Sequence, residues 1–425
     1  MKVLVVGSGG REHAICWKLS QSPLLEELYC ARGNPGIAQV ADPVPIPENE
    51  IHQLADFAAD LKIDLTVVGP ELPLTLGIVD EFANRGLPIF GPNRQAAELE
   101  GSKVFAKEFM KRNGIPTADF EIAHSAEEAR RAAERFGFPV VLKTDGLAAG
   151  KGVLIPGDQE ELEAALATFF EERRFGTAAE RVVVEECLVG EEVSFISFCD
   201  GEHVLPLATT KDYKRLEDDD KGPNTGGMGA HSPAGVLSGA GAEILDRIVR
   251  PTISAMSDEN RRFVGVLYAG LMLTQDGPRV LEYNVRLGDP EAQPLLMRLD
   301  QDLLPVLASG AAGRFEGPRL SFRKEAAACL VLASAGYPQK PAKGEPITGI
   351  ELAQQQDGVE VFHAATALKD NQLVAAGGRV LNVCANGPTL REALKRAYSA
   401  SSAIRWPSKT LRHDIGRRVL NRAAS

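Results

Sequence analysis

The sequence predicts a multidomain protein of α/β and α+β class: an N-terminal α/β domain on a parallel sheet, a central α+β region, and a small C-terminal α+β domain. Three observations carry that prediction. Short apolar runs and helical stretches alternate over the first ~100 residues, the pattern of parallel strands joined by crossover helices. Near residue 100 the pattern changes, and a strand, loop, strand, helix, strand order follows. After about residue 315 a further unit begins, with its own strands and a capped helix. A length of 425 residues accommodates this, at roughly 100–200 residues per domain.

The elements follow in order. Val3–Val6 is a buried-type strand ending at a glycine turn, and Glu12–Ser20 is helical. Leu65–Val68 and Leu87–Phe90 are further strands, each closed by Gly-Pro, with Thr75–Asn84 helical between them. This domain is expected over residues 1–101. Ser102–Arg112 is helical and stops at Asn113-Gly114. The capping box Ser125-x-x-Glu128 opens a helix to Phe136. Strands Val140–Lys143 and Val153–Ile155 flank a glycine loop. A helix near 159–173 and strands Val182–Glu185 and Val193–Phe198 follow. Residues 209–235 are polar and glycine-rich, with the acidic run Glu217–Asp220; a loop this long is expected to be a lid or binding loop. Leu267–Thr274 and Arg279–Tyr283 flank Gln275-Asp276-Gly277, a hairpin signal. The central domain is expected over 102–315, with a small lobe at about 120–190. The last, 316–425, has strands at Ala327–Ala333 and Arg379–Cys384 and a helix opened by Thr389-x-x-Glu392.

Composition excludes several function classes. A net charge of −11 argues against a general nucleic-acid binder, though a local basic site fits inside an acidic protein. From Arg391 onward nine Lys/Arg stand against Glu392 and Asp414; a solvated helical face is the favoured reading, an interaction tail the other. No apolar run approaches the ~18–20 residues of a membrane span. Met1–Ser8 lacks the layout of a signal peptide. The six cysteines are scattered without a C-x-x-C, which fits neither a zinc site nor a disulfide framework. A reduced, cytoplasmic chain is expected.

Three motifs carry chemistry. Gly7-Ser8-Gly9-Gly10-Arg11-Glu12-His13 follows a strand and opens a helix, where backbone N–H groups cradle anions. The dinucleotide fingerprint fails because Glu12 stands at its third glycine. An anion or phosphosugar site is favoured, with a structural turn and a dinucleotide site as alternatives. The second motif is Lys143-Thr144-Asp145-Gly146-Leu147-Ala148-Ala149-Gly150-Lys151-Gly152. It is a small-residue loop between strands that can close over triphosphate oxygens, with Lys143 reaching from the strand and Lys151 from the loop. A surface hairpin with solvated lysines is the alternative. Some 40 residues on, Glu185-Glu186-Cys187-Leu188 ends a strand in carboxylates and a linker able to read an adenine edge. In the third motif, Glu282 and Asn284 are two apart on a strand and share a face. Two oxygen ligands so spaced suit Mg²⁺, which completes its shell with phosphate and water. Arg286 continues that face beside the turn Gly288-Asp289-Pro290-Glu291. No Ser-His or Cys-His arrangement stands out.

Together these motifs, with Gly69-Pro70-Glu71, Leu99-Glu100-Gly101-Ser102-Lys103 and Gly222–Gly229, resemble the ATP-grasp superfamily and, within it, the phosphoribosylamine–glycine ligases. The resemblance spans the chain. It implies an ATP-grasp fold between the terminal domains, and ligation of glycine to 5-phospho-β-D-ribosylamine with ATP, an early step of purine biosynthesis. It places Lys103, Lys143, Lys151 and the loop glycines Gly146, Gly150 and Gly152 on ATP phosphates. Glu185, Glu186 and Leu188 fall on adenine and Glu192 on ribose. Glu282 and Asn284 would hold Mg²⁺ or Mn²⁺. The substrate surface would be Gly9, Gly10, Arg11, Glu12, His13, Glu71, Asp212, Lys214, Asn224, Thr225, Gly226, Gly227, Met228, Gly229, Asp289, Pro290 and Glu291. Arg286, Lys143 and Asp289 are the catalytic candidates. The expected partners are glycine, phosphoribosylamine and ATP, with no nucleic acid, no membrane and a monomeric state.

The chain departs from the family pattern in three places. Where many ATP-grasp enzymes have a carboxylate facing Glu282, this chain has Gly270; Thr144 follows the loop lysine; and Tyr213 stands where a histidine is frequent. The competing readings are another ATP-dependent carboxylate–amine ligase or carboxylase, a nicotinamide dehydrogenase, and a non-catalytic ATP-binding regulator.

Overall fold

The computed structural model describes residues 1–147, 152–171, 180–235, 240–317 and 319–422. Five parallel strands build the N-terminal sheet: β1 (Lys2–Gly7), β2 (Glu27–Arg32), β3 (Asp42–Val44), β4 (Leu65–Val68) and β5 (Ile89–Phe90), in the order β3-β2-β1-β4-β5. Val3–Val6 are fully buried, as strands covered on both faces must be. The strand order reverses between β1 and β4, and a crevice opens at the carboxyl ends of strands at such a reversal. The turn before helix α1 (Gly10–Leu19) and the turn before Glu71 therefore lie side by side.

Helix α2 (Lys103–Arg112) leads into the small lobe; its cap Ser102 accepts the Phe105 N–H at 3.0 Å. Strands β6 (Phe120–Ala123), β7 (Val140–Thr144), β8 (Val153–Leu154) and β9 (Val182–Glu186) form an antiparallel sheet ordered β6-β9-β7-β8. This lobe has its own core of Ala129, Val140, Leu142, Phe169 and Val184. By contrast, Leu4 and Val6 of the N-terminal sheet share one core with Phe263, Leu271 and Tyr283 of the large lobe.

The chain continues through β10 (Glu191–Asp200) and β11 (Val204–Pro206) into the segment expected to be a long loop. There the structure corrects the sequence reading. Four short strands occupy it: β12 (Lys211–Asp212), β13 (Arg215–Glu217), β14 (Lys221–Asn224) and β15 (Gly229–Ser232). The acidic run between β13 and β14 faces the C-terminal segment. Arg412 bonds Asp220 at 2.9 Å, the His413 N–H bonds Asp218 at 2.7 Å, Arg417 pairs with Asp219, and Arg418 reaches Asp220 at 2.9 Å. Part of the basic C-terminal stretch is thus an intramolecular partner rather than a solvated face, a pairing that sequence separation conceals.

Strands β16 (Val264–Thr274) and β17 (Gly277–Asn284) complete the large-lobe sheet, ordered β11-β10-β16-β17. Helix α3 (Ala292–Arg298) follows the Gly288–Glu291 turn. The C-terminal region adds β18 (Ala326–Ser334), β19 (Val359–His363), β20 (Thr366–Lys369), β21 (Gln372–Ala375), β22 (Arg379–Gly387), helix α4 (Leu390–Ala403) and β23 (Lys409–Thr410). Its main sheet runs β12-β15-β18-β22-β19, with β23 beside β18. Two strands from residues 211–232 are therefore built into it. No helix among the described residues is long and apolar enough to cross a membrane, and the six cysteines are free thiols.

Candidate active site

On one side of the site, lysines converge on a carboxylate. Lys143, at the end of β7, donates from Nζ to Glu185 Oε2 at 3.0 Å and to the Leu281 carbonyl at 2.9 Å. That carbonyl is available because the β16–β17 ladder slips at Leu281: Gly270 pairs with Glu282 and Leu271 with Val280. A second lysine, Lys107, reaches the same Oε2 at 3.0 Å and donates to the Thr117 hydroxyl at 2.7 Å. Burial lowers Lys107 to about 8, with Glu185 opposing the shift and Lys143 adding to it. Lys103, one helical turn earlier on α2, points to the Gly146 carbonyl at 3.4 Å. The start of the second glycine loop is anchored here. Asp145 accepts from the Ser102 hydroxyl at 2.8 Å, from the Val104 N–H at 3.2 Å and from Arg181 at 2.5 Å. The Thr144 N–H donates to Gly152 O at 2.9 Å. Thr144 itself is fully buried. Gly150 and Lys151 lie outside the described residues.

Beyond Glu185, Glu186 accepts from Arg279 at 2.8 Å and from the Asp119 N–H at 3.0 Å. Leu188 is half-buried in the link to β10, next to Val189, which is 85% exposed. Glu192 pairs with Lys214, whose Nζ lies 3.8 Å from Glu282. Burial works against the Lys214 charge, but Glu192, Asp212 and Glu282 hold it well above the ordinary lysine range.

Glu282 and Asn284 end β17. Burial would raise Glu282, but Lys214, Lys103, Lys143 and Arg286 outweigh it and hold the carboxylate below its usual range. The facing residue Gly270 offers no ligand, and a Cβ there would meet Glu282 Cγ at 3.4 Å. An ionised carboxylate flanked by cations that also suit phosphate fits a divalent ion bridging protein and nucleotide. No cluster of three or more His, Cys, Asp or Glu among the described residues could hold a metal alone.

On the other side, arginines are surrounded by carboxylates. The strand ends at Asn284, so Arg286 sits in a bend, but its side chain turns back and donates to Asn284 Oδ1 at 3.1 Å. It also meets Glu71 at 3.1 Å and Glu100 at 2.9 Å. Burial opposes its charge, yet Glu100, Glu71 and Glu291 hold it firmly protonated. Burial raises Glu100, which takes the Val285 N–H at 2.7 Å. Glu12 caps its own helix by accepting the Gly9 N–H at 2.6 Å and pairs with Arg11 at 2.5 Å. Arg11 reaches the Leu287 carbonyl at 2.9 Å. A Cβ at Gly69 would lie 2.1 Å from Glu12 Oε1, so the glycine makes room for the carboxylate. Gly10 packs just as closely on Asn382. His13 accepts the His363 N–H at Nδ1, 2.8 Å; burial and His363 lower its pKa to about 3, so it is neutral.

The Asn224–Gly229 segment lies over the Asp289–Pro290 turn. Thr225 donates to Lys214 O at 2.8 Å, the Gly227 N–H reaches the Thr225 hydroxyl at 3.0 Å, and a Cβ on Gly227 would strike Pro290 at 2.5 Å. Met228 is buried, and its N–H bonds Tyr213 O at 2.8 Å. Gly229 opens β15 against β18. Glu291 accepts from Tyr268 at 2.6 Å. Burial raises Asp212 to about 8, with Lys214 opposing and Glu291 and Glu192 adding to it. Tyr213 points away from the site, accepting the Gly416 N–H at 2.8 Å beneath Arg412.

The chain itself matches a known family over most of its length. Phosphoribosylglycinamide synthetase N-domain, ATP-grasp (A) domain and C-domain models match residues 1–100, 101–292 and 327–418. The chain belongs to the phosphoribosylglycinamide synthetase family. It is 48% identical over 424 residues to the phosphoribosylamine–glycine ligase of Brucella melitensis biotype 1, covering 99% of each chain. It is 47% identical over 427 residues to the same-named protein of Escherichia coli O157:H7, again covering 99% of each. The crystal structure of phosphoribosylamine–glycine ligase from Thermotoga maritima superposes with a TM-score of 0.86 at 35% identity, covering 97% of this chain and all of that one.

The sequence reading gave no site role to Lys107, Glu100, Tyr268, Tyr337 or Arg379, which the structure brings to these clusters: Tyr337 accepts the Gly226 N–H at 3.0 Å, and Arg379 pairs with Asp289 at 3.2 Å. Lys107 had a signal, since it lies four residues past Lys103 and shares its helix face. Arg379 had none, because only the fold brings a strand of the C-terminal region to Asp289.

Proposed function

We propose that the protein ligates glycine to 5-phospho-β-D-ribosylamine, with ATP as co-substrate, giving glycinamide ribonucleotide, ADP and phosphate. The observation that carries this is the pairing of a lysine-rich side with a carboxylate-rich side around Glu282, in a chain that the synthetase family models match over residues 1–292 and 327–418. The chemistry follows from glycine itself. Its carboxylate is a poor electrophile, because the leaving group would be oxide. Phosphorylation by ATP makes that leaving group phosphate, and the ribosylamine nitrogen then attacks the glycyl phosphate. No side-chain nucleophile is needed; positioning and charge neutralisation suffice.

In this reading Lys103, Lys143 and the Gly146–Gly152 loop hold the ATP phosphates, and Glu185, Glu186 and Leu188 frame adenine. Glu192 takes the ribose, releasing Lys214 to the phosphates. Glu282 and Asn284 would hold Mg²⁺ or Mn²⁺, which supplies charge neutralisation on the transferring phosphoryl group when bound. Arg286 directs its guanidinium at that group as charge develops. Asp289, Asp212 and the Asn224–Gly229 segment line the acceptor side with the Gly9–His13 turn. Its surplus of carboxylates favours substrates that bring ammonium groups, as glycine does. We assign residues 1–101, 102–315 and 316–425 to the three domains, and a cytoplasmic monomer to the working enzyme.

The test is ADP release with ATP, glycine, freshly generated phosphoribosylamine and Mg²⁺, each omitted in turn. Full turnover is expected only with all four. A full rate with alanine for glycine, or ammonia for the ribosylamine, rejects the assignment.

A further inference from the structure

The C-terminal region grips the acceptor side through two side chains. Gly226 is held at both ends: its N–H donates to the Tyr337 hydroxyl at 3.0 Å, and its carbonyl accepts from Arg379 at 2.6 Å. The same guanidinium donates to the Asp289 carbonyl at 2.5 Å and to Asp289 Oδ2 at 3.2 Å. Gln293 takes the other carboxylate oxygen at 2.7 Å. Asp289 is therefore fixed in position and orientation. Burial would raise its pKa, and Arg379 and Arg11 keep it ionised. A Cβ on Gly9 would lie 3.7 Å from Asp289 Oδ2, so the first glycine turn borders the same carboxylate. Three segments from the N-terminal, central and C-terminal regions thus meet at Asp289, and Arg379 ties two of them together.

We propose that Arg379, with Tyr337, is a positioning residue that sets the phosphoribosylamine subsite by locking the Asn224–Gly229 segment to the Asp289–Pro290 turn. This rests on the proposed function. The ribosylamine is the substrate chosen because the clamp borders the Gly9–His13 turn, the turn whose sequence favours a phosphosugar. A planar fork with two acceptors on one face and a carboxylate oxygen beside them is geometry that lysine does not reproduce. The C-terminal region then serves as part of the site rather than as an appendage, which explains why its main sheet incorporates β12 and β15.

The experiment compares wild type, Arg379→Gln, Arg379→Lys and Tyr337→Phe in the full chain. Steady-state kinetics vary each substrate, and equilibrium titration with a non-hydrolysable ATP analogue and Mg²⁺ reports the nucleotide side. Arg379→Gln is expected to raise the phosphoribosylamine KM about tenfold or more, with glycine KM and nucleotide Kd within about threefold. Arg379→Lys is expected to recover part of the loss. Tyr337→Phe, which deletes one hydroxyl and leaves the fold intact, shifts the same KM about two- to threefold. If wild type shows no phosphoribosylamine-dependent ADP release, the proposed function falls and the inference with it. If wild type turns over, and the variants leave that KM within twofold or weaken all three ligands equally, the inference alone falls.

Discussion

On the nucleotide side one carboxylate, Glu185, takes two lysines; on the acceptor side one guanidinium, Arg286, takes two carboxylates, Glu71 and Glu100. The lysine cluster is buried and the arginine cluster partly so, and both lie near Glu282, but their surplus charges have opposite sign. Lys103, Lys107 and Lys143 outnumber Glu185, leaving positive charge where the proposed function puts the triphosphate. Arg11, Arg286 and Arg379 are outnumbered by Glu12, Glu71, Glu100, Asp289 and Glu291. The residue types differ for a physical reason. A lysine is a compact charge on a flexible stem and can leave a carboxylate for a phosphate, whereas an arginine fork locks several acceptors in one plane. In the proposed site, the lysine side is thus suited to exchanging partners and the arginine side to holding still.

The sharpest way to break this comparison is at the carboxylate the two sides share. Glu282→Gln keeps shape and removes charge; turnover is expected to fall about 10²-fold or more, the scale of losing one electrostatic stabiliser. ADP release at several Mg²⁺ concentrations measures it, with circular dichroism to check the fold. Near wild-type activity at low Mg²⁺ removes Glu282 from the metal site.

Next in size is Arg286→Lys. If the fork is used in phosphoryl transfer, turnover drops at least about tenfold while the KM for ATP moves less than about threefold. Turnover within twofold of wild type, with a lowered melting temperature, reduces Arg286 to a brace for Glu71 and Glu100.

The lysines test partner exchange. Lys143→Met is expected to weaken nucleotide binding about tenfold, because that amine transfers to phosphate. Lys107→Met removes a lysine that stays on Glu185 and Thr117, and is expected to cost about 1–3 kcal/mol of stability, with nucleotide Kd changed less than threefold. Equal effects on Kd erase the distinction between the two. Calorimetric titration and chemical denaturation read the two quantities separately.

The smallest expected effect comes from buried histidines, one of them, His13, at the end of the first glycine turn. His13, His231 and His363 are buried and neutral, with pKa values lowered by burial to about 3, about 4 and about 4. An unfolded histidine takes its proton near 6.5, so below that pH the unfolded chain binds more protons than the folded one. Their contribution to stability is complete above about 6.5 and is lost as pH falls toward 4. A fall in melting temperature of at least about 3 °C between pH 7 and pH 5 is expected. His363→Asn should blunt that fall; an unchanged pH slope removes His363 from the account.

Legibility in the sequence followed the range of the interactions. The Val3–Val6 strand, the Ser125 and Thr389 caps and the Gln275–Gly277 hairpin depend on neighbours in the chain, and the structure has all of them. The segment 209–235 misled because its strands are two to four residues long and pair with β18 and each other, leaving no period to read. Within the basic C-terminal stretch, which is largely exposed as expected, Arg412 misled for the same reason, since it is buried against Asp220, 192 residues earlier.

By itself, the sequence determined the family, through motifs whose combination resembles the phosphoribosylamine–glycine ligases, and the chemistry followed from that resemblance. Local glycine turns, a strand-borne lysine and the alternation that places Glu282 and Asn284 on one face are all short-range, so they can be read without a fold. Only the tertiary structure decided which charges meet. The slipped register at Leu281 that turns a carbonyl to Lys143 arises from cross-strand pairing. The clasp of Arg286 by Glu71 and Glu100 spans some 200 residues of chain. The reach of Arg379 to Asp289 depends on a C-terminal sheet that borrows two strands from the middle of the sequence. Such contacts are set by the burial of whole faces against one another, a property of the packed chain that no local pattern encodes.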